Sequence, residues 1–502
     1  MLLSDILYEN EYTSRFSAKD VTFSRIVSDT AELEHGALFV CLEGTRYDAH
    51  ALASLAVMTG ASAIIAKEGK TVTVPPHFPV FFVRDTREML AHLCNRFYRG
   101  TQKSTRLIAI TGTNGKTSTL YLCGAILRAS GYSVGMIGTV DVLLNGQPLP
   151  LTEREHARVK TMTTPDPTVL YAIIARMETA NADFILMEAS SHALALGKLA
   201  ALSFDVGMFL NLSSEHMDFH RDMESYLSAK ASLFPLCRRA IFNADSPYSK
   251  EIIARTSVPC LLCGEHENAD FRTANAVANG VEGTAFELYT KNAHYAFSST
   301  LIGHFNLENV KMAVALALSL GIDATTINQA LQAFEGIPGR MERQTPKGYP
   351  FTVLIDYAHT EEALRRLLET LKACKEDGER IVLLFGCGGD RDKSKRDRMG
   401  TVAEMLADFT VVTSDNPRTE SKIAIIKDIL RGMPNKQKRR VITDRRRAIA
   451  YVLTHAEKGD VILLTGKGHE SYEITSDGIL PFSERKIVAD FLQNHPTSET
   501  SP

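Results

Sequence analysis

Short apolar runs closed by glycine or polar turns alternate along this chain with stretches whose apolar residues recur at helical spacing. "ALFVCLEG" and "ASAIIAKEG" flank the helical pattern "HALASLAVMTG". "PVFFVRD" continues the alternation into "TREMLAHLCNRFYRG", a helix expected to stop at Gly100. The polar stretch "GTQKST" separates this first unit from the strand "RLIAI". Further on, "ADFILMEAS", "FDVGMFLNLS" and "RRAIFNAD" stay apolar until they turn polar at their ends, as parallel strands covered on both faces do. The pattern breaks at "EGIPGR", a hinge around Gly336 to Gly339. A third unit then runs through "FTVLIDYA", a helix from Glu361, "RIVLLFGCGGD", a helix around "RMGTVAEMLA", "FTVVTSDNPR" and "DVILLTGKGHE". The expectation is an α/β protein of three tandem α/β domains, residues 1–103, 104–338 and 339–502. No internal repeat, low-complexity tract or coiled coil interrupts them, and the tail "NHPTSETSP" reads as disordered.

Composition narrows the classes. The chain has 502 residues, too many for one ordinary core; 44% are hydrophobic, 23% charged, and the net charge is −3. That balance offers no global field to draw nucleic acid or a membrane surface. No apolar run reaches the roughly 20 residues that span a bilayer. The opening "MLLSDILYENEYTSRFSAKD" lacks the cationic start and long apolar centre of a secretory signal, and eight scattered cysteines do not form a disulfide framework, so a cytoplasmic location is expected. Cys260 and Cys263 have metal-like spacing, but with only His266 nearby they read as small apolar residues at a strand end. The basic run "KQKRRVITDRRR" lacks interleaved aromatics and reads as a solvated helix face, not an RNA site.

The run "IAITGTNGKTSTL" is the clearest chemical signal. A strand, then glycines, then Lys116 and Thr117 opening a helix is an arrangement that holds polyphosphate. Gly112, Thr113, Asn114 and Gly115 let backbone N–H groups turn inward, and the helix N-terminus that follows, with Ser118, adds partial positive charge. Lys116 can reach the outer phosphates of ATP, and the Thr117 hydroxyl can ligate Mg²⁺. The loop is shorter than G-x-x-x-x-G-K-[ST], since position 110 is isoleucine.

Two strands later come "MEASSHAL" and "NLSSEHMDFH". Glu188 ends one strand and His216 follows the next, so a parallel sheet would point both at the loop. Glu188 suits a hard cation, and His216 is a less usual nitrogen ligand. The run His216, Asp218, His220 leaves zinc as an alternative, and a cap on the strand end as the purely structural one. Lys230 lies in the helix-like "YLSAKASLF", where a surface lysine is the ordinary reading.

Taken together, "GTNGKTS", "TTPDP", "MEASSHAL", "NLSSEHMDFH", "AKASLF", "GHFNLEN", "GIPGRME", "DYAHT", "FGCGGDRDKSKR", "SDNPRTE" and "GKGHE" resemble, in order and over almost the whole chain, the Mur ligases. The likeness is strongest to members that add the third residue of the peptidoglycan stem to UDP-N-acetylmuramoyl-L-alanyl-D-glutamate. The resemblance implies a central P-loop-type parallel sheet, a Rossmann-like C-terminal domain and a monomer. It also implies ATP-driven amide synthesis through an acyl phosphate. Lys116, Glu188, His216 and Lys230 would be catalytic, and Thr117, Glu188, His216 and a carbamylated Lys230 would hold Mg²⁺. Asn306, Asn309, Arg340, Asp356, His359 and Asp444 would join the loop in holding ATP, and Ser28, Thr163, Thr164, Ser190 and Lys198 would hold the muramoyl dipeptide. Arg391, Asp415, Asn416, Pro417, Arg418, Gly466 and Glu470 resemble the pocket of members that add meso-diaminopimelate. There Arg418 would grip the second carboxylate in bidentate fashion, and Glu470 would accept from the far ammonium.

The sequence departs from the family pattern mainly on the UDP-sugar side. "SDTA" carries Ala31 where arginine is usual, Lys198 stands for arginine, Glu215 for aspartate, Glu361 for proline, and "PFSERK" replaces an acidic pair. Three readings follow. The leading one is a ligase adding diaminopimelate; the second is a divergent paralogue adding lysine or using another acceptor. The third is a nucleotide-dependent switch without ligation, which the retained Glu188, Lys230 and third-domain motifs disfavour.

Overall fold

The computed structural model describes residues 1–44, 47–100, 104–160, 162–213, 215, 217, 219–278, 283–346, 348–375 and 378–495. His216 and Asp218 lie outside the described residues, as does the expected disordered tail from 496 onward. The chain divides into two compact units, Met1–Asp270 and Phe271–Pro502.

The first unit holds two sheets. Strands β1 (Arg25–Val27), β2 (Ala37–Val40), β3 (Ala63–Lys67) and β4 (Val80–Val83) pair in parallel in that order. Helix α1 (Ala53–Met58) follows a short 3-10 turn, and α2 (Thr86–Arg99) starts at Asp85, whose carboxylate accepts from the N–H groups of Arg87 and Glu88. It stops where expected, at Gly100, which has a left-handed φ of 58°.

The second sheet begins with β5 (Arg106–Thr111), followed by α3 (Lys116–Ala129), β6 (Val134–Ile137), β7 (Val142–Leu144), β8 (Gln147–Pro148), α4 (Glu153–Val159) and α5 (Pro167–Thr179). Then come β9 (Phe184–Glu188), α6 (Ser191–Ala195), β10 (Val206–Phe209), α7 (Met223–Ala231), β11 (Ala240–Asn243), α8 (Ser249–Ala254) and β12 (Cys260–Gly264). Their order across the sheet is β12-β11-β10-β5-β9-β6-β7-β8, parallel from β12 to β6. Leu107, Ile108, Ala109 and Ile110 are all buried, which is why β5 reads as an unbroken apolar run. Because β5 lies between β9 and β10, strand order reverses at its C-terminal end, where ligands of such sheets bind. Ile110 pairs with Glu188 and Thr111 with Phe209.

The second unit opens with an antiparallel meander, β13 (Phe271–Ala278), β14 (Thr284–Tyr289) and β15 (His294–Ser299), then α9 (His304–Ser319) and α10 (Ala324–Gln332). Next come β16 (Glu342–Arg343), β17 (Thr352–Asp356), α11 (Glu361–Cys374), β18 (Ile381–Phe385), α12 (Lys395–Leu406), β19 (Phe409–Val412) and α13 (Lys422–Leu430). The unit ends with β20 (Arg439–Val441), α14 (Arg445–Thr454), β21 (Val461–Thr465), the hairpin β22 (Tyr472–Thr475) and β23 (Gly478–Pro481), and α15 (Glu484–Asn494). Its main sheet has the order β16-β17-β21-β18-β19-β20, with only β16 antiparallel. Helix α11 buries Leu364, Leu367, Leu368 and Leu371, the spacing of one helical face.

The basic run corrects one expectation. Lys436–Lys438 form a 3-10 turn and Arg439–Val441 an edge strand paired to β19; only the segment from Arg445 is helical. A three-residue strand is too short to show its period in sequence, and charged edges are what unpaired sheet margins carry. Cys260 and Cys263 lie on β12, and all eight cysteines are free.

Candidate active site

In the first unit the sheet register builds a polar cluster around the glycine loop. Gly115 adopts φ 85°, so the chain leaves β5 and enters α3 with Lys116 as its first helical residue. The Lys116 ammonium folds back onto the carbonyls of Gly112 and Thr113, 2.9 Å from each. Thr117 donates its hydroxyl to Glu188 Oε1 at 2.9 Å, and Ser118 is half-buried beside it. Glu188, 1% exposed, also accepts the Thr139 N–H at 2.9 Å, while the Thr139 hydroxyl lies 3.0 Å from Oε2 and 3.1 Å from the Thr163 hydroxyl. Thr164 donates to the Glu188 carbonyl at 2.8 Å and accepts the Ser190 N–H at 3.1 Å. Thr117, Thr139, Thr163, Thr164, Glu188 and Ser190 thus share one hydrogen-bonded edge, while Ser28 and Lys198 line a separate cavity.

The loop is braced from β10's side by residues that sequence reasoning did not single out. Asn114 donates its N–H to Asn211 Oδ1 at 2.9 Å, and Asn211 Nδ2 donates back to the Asn114 carbonyl at 3.1 Å. The Thr113 N–H donates to the Asn211 carbonyl, and the Thr113 and Tyr226 hydroxyls lie 3.0 Å apart. Asn211 opens the stretch "NLSSEHMDFH", and Tyr226 lies four residues, one helical turn, before Lys230.

Lys230 is not a surface lysine. It is 1% exposed, with Nζ 4.6 Å from the centroid of the Tyr226 ring, which stacks on His220. Burial first, then the Lys116 charge, pushes its pKa well below the ordinary lysine range, with Glu215 opposing. Among the described residues no group of three or more His, Cys, Asp or Glu side chains forms a metal cage.

A cavity of about 370 Å³ in the same unit is lined by Ser28, Asp29, Arg87, Arg158, Asp166 and Lys198 among others. Lys198 pairs with Asp166 at 2.8 Å. Arg158 bonds Asp29 and, at 3.3 Å, Glu32, so an arginine from α4 reaches the turn that contains Ala31. Burial pushes the Asp29 carboxyl up, but the Ala31 N–H and Arg158 outweigh it and hold it below its ordinary range.

In the second unit the C-terminal ends of β17, β18, β19 and β21 lead into Asp356 to His359, Gly386 to Arg391, Asp415 to Arg418 and Gly466 to Glu470. Asp415, Asn416 and Lys467 are buried. Asn416 Nδ2 donates to Glu470 Oε2 at 2.8 Å, and burial raises the Glu470 carboxyl above its ordinary range. Gly466, φ 108°, is required here, since a Cβ would sit 2.4 Å from Asp415 Oδ2. Arg418 takes a left-handed φ of 51°, donates its N–H to the Ile474 carbonyl at 3.0 Å, and points Nη1 at the Gly389 carbonyl, 2.8 Å away. The Pro417 carbonyl accepts from the Glu420 N–H, and Arg391 is exposed beside Gly388. Asp356 accepts the N–H groups of Met341 and Ala358; burial raises its pKa above the ordinary range, with Arg340 opposing. His359 is exposed, with Nδ1 3.0 Å from the Tyr357 carbonyl. Asn306 and Asn309 are buried and hydrogen-bonded to each other at 3.2 Å. Asp444 caps α14 through the Arg447 N–H.

Arg445, next in sequence, ties this edge together. It donates to Glu484 Oε1 at 2.8 Å, to the Ser414 carbonyl at 3.2 Å and to the Thr465 carbonyl at 2.7 Å, with both charged side chains 1% exposed. Arg445→Met leaves Glu484 buried without its partner and is expected to destabilise the protein by about 3–5 kcal/mol. Arg447→Ala, at an exposed neighbour in the same basic run, should stay within about 0.5 kcal/mol. Thermal denaturation of both variants checks the contrast.

Residues 110–317 match the family model of the Mur ligase middle domain, and 339–468 that of the Mur ligase, glutamate ligase domain. The UDP-N-acetylmuramoyl-L-alanyl-D-glutamate--2,6-diaminopimelate ligase of Syntrophomonas wolfei is 37% identical over 481 residues, covering 94% of this chain and 95% of that one. That of Gloeobacter violaceus is 38% identical, covering 98% of each chain. A solved UDP-N-acetylmuramoyl-L-alanyl-D-glutamate--2,6-diaminopimelate ligase superposes with TM-score 0.72 at 28% identity over 99% of both chains. The chain belongs to the Mur ligase family.

Proposed function

We propose that this protein is an ATP-dependent, ADP-forming ligase that joins meso-diaminopimelate to UDP-N-acetylmuramoyl-L-alanyl-D-glutamate, in peptidoglycan synthesis and in the cytoplasm. Its division of labour follows residues 1–103 for the UDP substrate, 104–338 for ATP and 339–502 for the amino acid. The observation that carries the reading is the Thr117 hydroxyl 2.9 Å from the buried Glu188 carboxylate, at the mouth of the loop where Lys116 begins α3. That is a cation-binding and phosphate-binding edge in one place. The 37% identity to a ligase so named, over 94% of the chain, supports the choice of substrates. No helix among the described residues is long and apolar enough to cross a membrane.

The chemistry follows from charge. A carboxylate is a poor electrophile and repels the triphosphate it must meet. An oxygen of the acceptor carboxylate attacks the γ-phosphorus, ADP leaves, and the resulting acyl phosphate is attacked at carbon by the amine. Phosphate departs with that oxygen as the amine loses a proton. Lys116 leaves its two carbonyls for the outer phosphates, and the loop N–H groups hold the inner ones. Thr117 and Glu188 would hold Mg²⁺, with His216; when bound, the ion neutralises phosphate charge. The oxygen donors fit a hard cation, and magnesium draws part of its shell from phosphate and water, so no protein cage is needed. Lys230 suits carbamylation because only a neutral amine attacks CO₂, and its lowered pKa supplies one. The carbamate turns a cation into an anionic ligand.

Arg158 takes the role that Ala31 cannot, presenting a guanidinium to the UDP substrate in the cavity with Ser28. Arg158→Ala is expected to raise KM for that substrate about tenfold, the cost of a charge-assisted hydrogen bond, with KM for ATP unchanged. Steady-state kinetics with each substrate varied would show it. Ala31 also supports the second reading, an altered acceptor. Mass spectrometry of a reaction containing ATP, Mg²⁺, the UDP-dipeptide and diaminopimelate decides between them. The proposal expects a product heavier by one diaminopimelyl residue; ATP hydrolysis without it would refute the acceptor.

A further inference from the structure

We propose that Lys467 is a positioning residue for the incoming amino acid: its ammonium fixes the Asn416 carboxamide, and Asn416 in turn fixes Glu470 at the mouth of the pocket beside Arg418. The inference deepens the amino-acid-pocket reading above and rests on it.

Lys467 is 0% exposed; burial pushes its pKa below the ordinary lysine range, and Asp415, Glu470 and Glu484 act to keep it charged. It donates to Asn416 Oδ1 at 2.9 Å and to the Tyr472 carbonyl at 2.8 Å, with Asp415 at 4.0 Å and Glu470 Oε2 at 3.9 Å. Asn416 Oδ1 accepts a second bond, from the Ile474 N–H at 2.9 Å. Both neighbours of that oxygen are obligate donors, so the amide cannot flip without setting its NH₂ against an ammonium. Nδ2 is therefore forced toward Glu470, where its 2.8 Å bond occupies Oε2. Oε1 receives no hydrogen bond from the described residues and is the oxygen left to accept the far ammonium of a diamino acid.

The same ammonium sets the electrostatics. Glu470 is faced by Asp415, Lys467, Arg418, Tyr357 and Tyr472; Lys467 by Asp415, Arg445, Glu470 and Glu484. Burial raises the Glu470 pKa, and Asn416, Lys467 and Arg418 work against it. Glu470 accepts an ammonium only when ionised, and ionisation is lost as pH falls through its pKa. Removing Lys467 moves that loss to higher pH. A lysine that merely fills space beneath the Phe482 ring, 5.4 Å away, would not affect this limb.

The test uses the full-length enzyme with Lys467→Met. The expected result is kcat/KM for diaminopimelate lower by about tenfold or more, with its acid limb displaced upward by on the order of one pH unit and KM for ATP within about threefold. In the Glu470→Gln background, adding Lys467→Met should displace nothing further. Asn416→Asp, which keeps a partner for Lys467 but replaces the donor to Glu470 by a negative charge, should displace the limb in the same direction; it decides the matter if Lys467→Met does not fold. Equal changes in the KM values of both substrates with an unmoved acid limb, or no displacement in Asn416→Asp, would overturn the proposal. Wild-type turnover with diaminopimelate tests the parent reading separately; if another amino acid is the substrate, the variants are read on that one.

Discussion

Lys230→Ala is expected to cut ligase activity by at least about 10²–10³ while leaving the protein as stable as before, or more so. In the proposed role of Lys230 as a carbamylated ligand, its removal takes away an electrostatic group at the site of phosphoryl transfer, which typically costs that much. The stability effect has the opposite sign. In the folded protein burial and Lys116 hold the Lys230 pKa below its ordinary value, whereas the unfolded chain restores it. The unfolded state therefore binds the extra proton, so this lysine weakens the fold at every pH below the unfolded pKa of about 10.4 and ceases to do so above it. Alanine removes that penalty. Thermal denaturation of both proteins in CO₂-free buffer, where Lys230 is a free amine, at pH 7 and at pH 10 checks the sign: the variant's advantage should shrink as pH rises. A variant that unfolds at lower temperature at pH 7 would show instead that the side chain's packing outweighs its desolvation.

Arg418→Gly is expected to separate function from stability in the same way at the other substrate. Arg418 holds a left-handed φ of 51°, a conformation that side-chain-bearing residues occupy at a cost, and such outliers cluster at functional sites. Glycine adopts it freely. KM for diaminopimelate should rise by about 10–100-fold, corresponding to about 1.5–3 kcal/mol for a lost charge-assisted contact, while KM for ATP holds. Stability should be unchanged or slightly higher, because glycine relieves the backbone although the Gly389 carbonyl loses its 2.8 Å partner. Discrimination between diaminopimelate and lysine should fall with it, since lysine never used the contact. Equal increases for both substrates in steady-state kinetics would remove Arg418 from the pocket.

The strands were legible because both faces are covered. Ile108 to Ile110 and Leu383 to Phe385 are apolar without alternation, and the turn residues after them mark where each strand ends. The loop was legible because its glycines and Lys116 are adjacent in the chain. Partners brought together by the sheet were not. Asn211 braces Asn114 from 97 residues away, and Lys467 reaches Asn416 from 51; neither bond leaves a local mark. The meander also went unread, although β14 alternates buried and half-buried residues at period two. Lys230 was singled out by its motif, but its burial could not be read from the sequence. The seam it lies in depends on Tyr226 and His220, which fold over it from the same connection.

The central claim is that the Lys116 loop enables an acceptor carboxylate to take phosphate before the amine displaces it. The most direct test follows oxygen. The UDP-dipeptide labelled with ¹⁸O in the reacting carboxylate is turned over with ATP and diaminopimelate, and the inorganic phosphate is analysed by mass spectrometry. The account predicts that each phosphate released carries an oxygen from that carboxylate. Unlabelled phosphate accompanying amide formation would contradict it.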